Sequence, residues 1–131
     1  MQADLIIVGA GMVGSTLALA LQDAGLKIVL IDAGPLQAQP FAAEDAFEPR
    51  VSALSAASQR ILERVGAWSG IAGRRASPYG EMQVWDGSGT GHIHFNAASV
   101  HAEVLGHIVE NRVVQDALLD SLQASGSVAM I

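Results

Sequence analysis

The chain has 131 residues, half of them apolar, no cysteine, and a formal net charge of −6. That is the length of one domain with enough apolar material for a core, and the negative charge argues against nucleic acid as a partner, whose phosphates would be repelled. The lack of cysteine excludes a disulfide framework, thiol catalysis and cysteine-ligated metal, and fits a cytoplasmic protein. The opening Met-Gln-Ala-Asp carries no positive charge and glycines interrupt the apolar run behind it, so this stretch does not read as a signal peptide. No uninterrupted apolar segment is long enough to span a bilayer, and there is no basic amphipathic helix to lie on one.

Leu5-Ile6-Ile7-Val8 reads as a buried strand. Gly9-Ala10-Gly11-Met12-Val13-Gly14 comes next as a G-x-G-x-x-G. A helix is expected from Ser15 to Ala24, with Leu17, Ala18, Leu21 and Ala24 as its sheet-facing stripe and Gly25 as its end. Ile28 to Ile31 is a second apolar strand, closed by Asp32. Strand, glycine turn, helix, strand and acid stand in the order a dinucleotide site needs. Gly9 allows the tight turn, Gly11 leaves room for a pyrophosphate, and Gly14 lets the helix approach the strands. The helix start presents unpaired N–H groups to a diphosphate, and Asp32 can accept from both ribose hydroxyls.

Ala33 to Pro49 reads as a long irregular, mobile connection, rich in proline and acids. Arg50 comes next, within reach of the phosphates, although a solvated arginine is the commoner outcome. A helix is expected from about Ser55 to Val65, capped by Ser52 or Ser55, with Leu54, Ile61, Leu62 and Val65 as its stripe and Gly66 at its end. Residues 70–80 read as loop. Glu81–Asp86 and His92–Asn96 alternate about a glycine-rich turn and read as a β-hairpin that opens a second, antiparallel sheet. His92 and His94 share a face of that hairpin but have no third ligand nearby, so no metal site is expected; His101 and His107 read as loop residues without partners. Ala98 to His107 reads as loop, Asn111 to Ala124 as a helix ended by Gly126, and Val128 to Ile131 as a further strand.

The opening unit, Arg50-Val51-Ser52-Ala53-Leu54-Ser55, Gly66-Ala67-Trp68, Met82-Gln83-Val84-Trp85-Asp86 and Gly106-His107-Ile108-Val109-Glu110-Asn111 together resemble the FAD-dependent aromatic hydroxylases of ubiquinone biosynthesis. That group is similar to the p-hydroxybenzoate hydroxylase superfamily of flavoprotein monooxygenases. The resemblance implies an α/β fold: a Rossmann-like FAD-binding βαβ unit, with the hairpin beginning a second antiparallel sheet. It divides the chain into a first part of the FAD-binding domain (1–77), a hairpin of the substrate-domain sheet (78–98) and a return to the FAD-binding domain (99–131). It implies FAD contacts at Gly9, Gly11, Met12, Val13, Gly14, Asp32, Ala33 and Arg50, and at Asn111 or Gln115. Asp32 departs mildly from the family's usual glutamate.

The resemblance further implies NAD(P)H as electron donor, O2 as oxidant and a small aromatic substrate such as a polyprenylated phenol. It implies association with other ubiquinone-biosynthesis proteins, in the cytoplasm or at a membrane surface. Family members are considerably longer, and their second flavin motif lies further along. The chain is therefore expected to be an N-terminal fragment, an incomplete domain that is inactive by itself, and no catalytic residue is assigned. Two other readings stay open: a nicotinamide-dinucleotide-binding dehydrogenase domain, and a non-catalytic fragment that binds little.

Overall fold

The structure is a computed structural model that describes residues 2–131. Its first sheet is parallel, in the order β1 (Leu5–Val8), β2 (Ile28–Ile31), β8 (Val128–Met130). Helix α1 (Met12–Ala20) links β1 to β2. β2, the central strand, is buried along Ile28, Val29 and Leu30, as its unbroken apolar run predicts. β1 departs from expectation: Ile7 is buried, but Ile6 and Val8 are exposed. It is an edge strand, and among the described residues its second face is uncovered.

Helix α1 begins three residues before the expected Ser15 and ends four before Ala24, so Gly14 lies inside it. Its last turn tightens through a Gln22 N–H bond to the Leu19 carbonyl, and Gly25 adopts a positive φ of 73° in the turn beyond. The buried stripe is Ser15, Ala18 and Leu19, while Leu17 is exposed, a correction to the predicted face. Ser15 escapes a pattern search because it is polar. Its hydroxyl is satisfied by donating to the Ala10 carbonyl at 2.9 Å, so burying it costs little.

Helix α4 (Asn111–Ser125) packs against α1 and carries the largest share of the core, with Val114, Leu118 and Leu122 almost fully buried. Each buried leucine contributes about 1.5–3 kcal/mol. Gly126 closes the helix in the left-handed conformation, as expected.

A second sheet is antiparallel, in the order β3 (Val51–Ser55), β7 (Gly106–Glu110), β4 (Ser77–Tyr79). The sequence reading missed all three strands. They are short, carry serine, proline and glycine, and pair with segments far away in the chain, so no local periodicity marks them. Helix α2 (Ala56–Arg64) comes directly after β3, with Ser55 as its cap accepting from the Ser58 N–H, while Ile61 of the predicted stripe is exposed. A short helix α3 (Trp68–Ala72) takes up the first residues, 70–72, of the predicted loop. A 3₁₀ turn covers Ala97–Val100, and His107 lies on β7 with its ring edge-on to Trp68, centroids 5.0 Å apart.

The hairpin forms as expected from β5 (Glu81–Trp85) and β6 (His92–Asn96), but as a two-stranded sheet of its own. His94 faces Glu81 at 3.6 Å, and no group of three metal-ligating side chains occurs among the described residues. No helix among them is long and apolar enough to cross a membrane.

The close contact of α1 with β1 gives a first prediction. A Cβ added to Gly14 would sit 1.8 Å from the Gly9 carbonyl oxygen, and that neighbour is main chain, which cannot swing away. Gly14→Ala should destabilise the fold by about 1–3 kcal/mol, read as a fall in the thermal midpoint. An unchanged midpoint would mean the helix can stand off the strand.

Candidate functional site

A cleft of about 480 Å3 opens where β1, β2, α1 and α4 meet the long loop. Gly11, Met12, Asp32, Arg50, Asn111 and Gln115 all line it, although they are spread over more than a hundred positions of sequence. Each arrives for a local reason. Gly9 turns the chain out of β1 at a φ of 101°, open only to glycine at low cost. Gly11 is the N-cap of α1, with no side chain capping the helix. The start of α1, with the positive end of its dipole, therefore opens at the cleft at Gly11 and Met12, with no side chain among the described residues capping it. A Cβ at Gly11 would meet nothing within 4 Å, and its φ of −68° suits any residue. Packing accounts for Gly14 and backbone conformation for Gly9; neither accounts for Gly11, whose missing side chain leaves free space at the helix end.

Asp32 ends β2 and braces the turn. Its Oδ2 accepts the Ala10 N–H at 2.6 Å and its Oδ1 the Gly34 N–H at 2.7 Å. Asp32 also lines the cleft, and a carboxylate has about four acceptor sites, so these bonds do not exhaust it. Ala10 is 1% exposed, so the residue between the first two glycines must itself be small. Its carbonyl accepts from Ser15 and, at 3.3 Å, from Gln115 Nε2 on α4. Asn111 Oδ1 accepts from the Ser52 hydroxyl at 2.6 Å, and the Asn111 N–H holds the Arg50 carbonyl at 2.9 Å. The Arg50 guanidinium has no ion pair or hydrogen bond among the described residues, whereas the other arginine of the cleft, Arg112, faces Asp45 and Asp116. Arg50 is thus the free cation of this cleft among the described residues.

Four predicted positions lie off the cleft wall. Gly9 and Gly14 shape the turn beneath it, and Ala33 is beside Asp32. Val13 is 83% exposed and lines a neighbouring apolar groove with Leu17 and Ile61. Sequence reasoning missed Gln39 and Asp116, also on the wall, where Asp116 Oδ1 accepts the Gln39 N–H at 3.1 Å. Asp116 sits next to Gln115 on the same helix, a signal that was available; the loop residues had none.

The fold and cleft define a mixed α/β protein whose opening segment matches, over residues 4–47, the family described as FAD dependent oxidoreductase. The chain is 37% identical over 127 residues to 3-demethoxyubiquinol 3-hydroxylase of Escherichia coli (strain K12), covering 97% of this chain and 32% of that protein. It is 38% identical over 124 residues to the mitochondrial ubiquinone biosynthesis monooxygenase COQ6 of Danio rerio, covering 92% of this chain and 25% of that protein. The chain is similar to these two proteins over nearly all of its own length and spans a quarter to a third of theirs. Among solved structures, PqsL of P. aeruginosa in complex with 2-aminobenzoylacetate superposes with a TM-score of 0.69 at 21% identity, covering 98% of this chain and 33% of that one. That likeness concerns the fold alone.

The bonds from Gly34, then Ala10, then Ala33 hold the Asp32 carboxyl below its ordinary value of 3.8. Asp32 binds fewer protons folded than unfolded around that pH, so its stabilisation of the turn is complete above 3.8 and is lost as pH falls through the lower folded value. A carboxyl NMR titration should place the Asp32 midpoint below 3.8, and Asp32→Asn should remove this part of the acid sensitivity. A midpoint at or above 3.8 would contradict the bracing bonds.

Proposed function

We propose that this chain supplies the dinucleotide-binding part of a flavoprotein monooxygenase that hydroxylates an aromatic ring in ubiquinone biosynthesis, with NAD(P)H as electron donor and O2 as oxidant. The observation that carries the reading is the meeting of an uncapped helix N-terminus, a side-chain-free Gly11, Asp32 and an unpaired Arg50 in one cleft. In this Rossmann-like unit the first turn of α1 would hold the FAD pyrophosphate, and Asp32 would accept the adenosine ribose hydroxyls. Arg50, with Asn111 or Gln115, would hold the remaining polar edge of the cofactor.

When bound, the flavin would carry the electron transfer and oxygen activation, while this chain's residues bind it, orient it and keep its charge balanced. Residues 1–77 and 99–131 would belong to the cofactor domain. The 78–98 hairpin, with Trp85, Ile93 and Phe95 exposed, would belong to the sheet that covers a small aromatic substrate such as a polyprenylated phenol.

A nicotinamide dinucleotide presents the same adenosine diphosphate half. The cofactor assignment is supported by the chain beyond Asp32: a long loop, Arg50 and an antiparallel sheet, where a simple dehydrogenase would run through a short crossover helix to a third parallel strand. The third parallel strand here, β8, comes only at residues 128–130.

The test is a fluorescence titration of FAD on the protein that contains this chain. Gly11→Val and Arg50→Ala should each raise the dissociation constant about tenfold or more, equivalent to ~1.4 kcal/mol, with little change in far-UV circular dichroism. A protein that takes up no FAD, or that binds NAD more tightly than FAD, would overturn the reading.

A further inference from the structure

The long loop before Arg50 carries no helix or strand, yet it forms one wall of the cleft. Arg112 donates to the Pro40 carbonyl and faces Asp45, and Asp116 accepts the Gln39 N–H; the 41–48 stretch is held further by Arg75, which no motif singles out. Arg75 lies between α3 and β4, and its side chain is only 15% exposed. Nη1 pairs with Glu110 Oε2 at 3.3 Å, and Nη2 faces the main-chain carbonyls of Ala42, Ala43 and Asp45. The guanidinium also stacks over the Phe47 ring, 4.3 Å from its centroid, and lies 5.1 Å from that of Phe41. The other oxygen of Glu110 accepts the Glu48 N–H at 2.8 Å, and the next residue, Asn111, holds the Arg50 carbonyl. The connection therefore runs from Arg75 to both ends of the 41–50 segment, directly at Ala42 to Phe47 and through Glu110 at Glu48.

We propose that Arg75 is a positioning residue for the cofactor cleft: it clamps residues 41–50 so that the free guanidinium of Arg50 is held toward Gly11. The inference rests on the FAD reading for its consequence, not for its geometry. A planar fork is needed here because one group must pair with a carboxylate, face several carbonyls and lie flat on an aromatic ring. Lysine keeps the charge opposite buried Glu110 and therefore the fold, but cannot make that set of contacts. Arg75→Lys tests the clamp while leaving the ion pair in place, and Phe47→Ala, which removes an exposed ring, is the second variant should Arg75→Lys fail to fold.

Two measurements on the protein that contains this chain decide it. In the absence of cofactor, amide exchange over residues 41–50, and at Glu48 in particular, should quicken about tenfold or more in either variant, with the rest of the chain unchanged. In FAD titrations the dissociation constant should rise several-fold, and Arg75→Lys combined with Arg50→Ala should bind no more weakly than Arg50→Ala alone, because both act through one guanidinium. Unchanged exchange, or losses that add in the double variant, would overturn the proposal. Faster exchange in a protein whose wild type takes up no FAD would support the clamp and overturn the cofactor reading instead.

Discussion

The main chain of one residue, Ala10, ties the parallel half of the molecule together through its N–H and its carbonyl. Its N–H is held by Asp32 at the end of β2, and its carbonyl by Ser15 of α1 and Gln115 of α4. Gly9 before it supplies the positive φ, and Gly14 above it lets α1 sit against the Gly9 carbonyl. Two helices and two strands thus meet at a turn only a few residues long. Fully paired polar groups in a buried place define one geometry, because any other arrangement leaves a donor or acceptor without a partner.

The same constraint gives the cleft its chemistry. With Ala10 fixed, the uncapped start of α1 stays open at the surface instead of folding back on a side chain. Asp32 supplies negative charge on one side and Arg50 positive charge on another, and neither is neutralised by the other in an ion pair. α4 does two jobs: its apolar face fills the core, while Glu110, Asn111 and Asp116 near its start hold the main chain of the long loop. Core and cleft are consequently two faces of one helix, and a change that shifts α4 moves both.

How much the amino acids reveal depends on how local each signal is. β1, the glycine turn, β2 and Asp32 are contiguous, and each has its own steric or electrostatic reason, so this unit was legible. So were α4 with its terminal Gly126, and the hairpin with its glycine-rich turn. α1 was shifted because Ser15, a polar residue, belongs to its buried face. Strands β3, β4 and β7 were illegible because their order comes from pairing across the fold, as between Val51 and Glu110. Arg50 stood out by its place after the long loop, but only the resemblance set it above an ordinary solvated arginine. Arg75 acts through the carbonyls of a loop, and no sequence pattern records such contacts; Asp116 had only its place next to Gln115 to mark it.

The central claim is that the turn at Ala10 is a preformed cradle for the diphosphate of FAD. The most direct measurement is the change in amide chemical shifts, in the protein containing this chain, when FAD is added. A preformed cradle predicts the largest changes at Met12, Val13 and Gly14, with smaller ones at Gly34 and Arg50 and no change in the secondary structure of α1. Largest changes at the β5–β6 hairpin, or none at the start of α1, would contradict it.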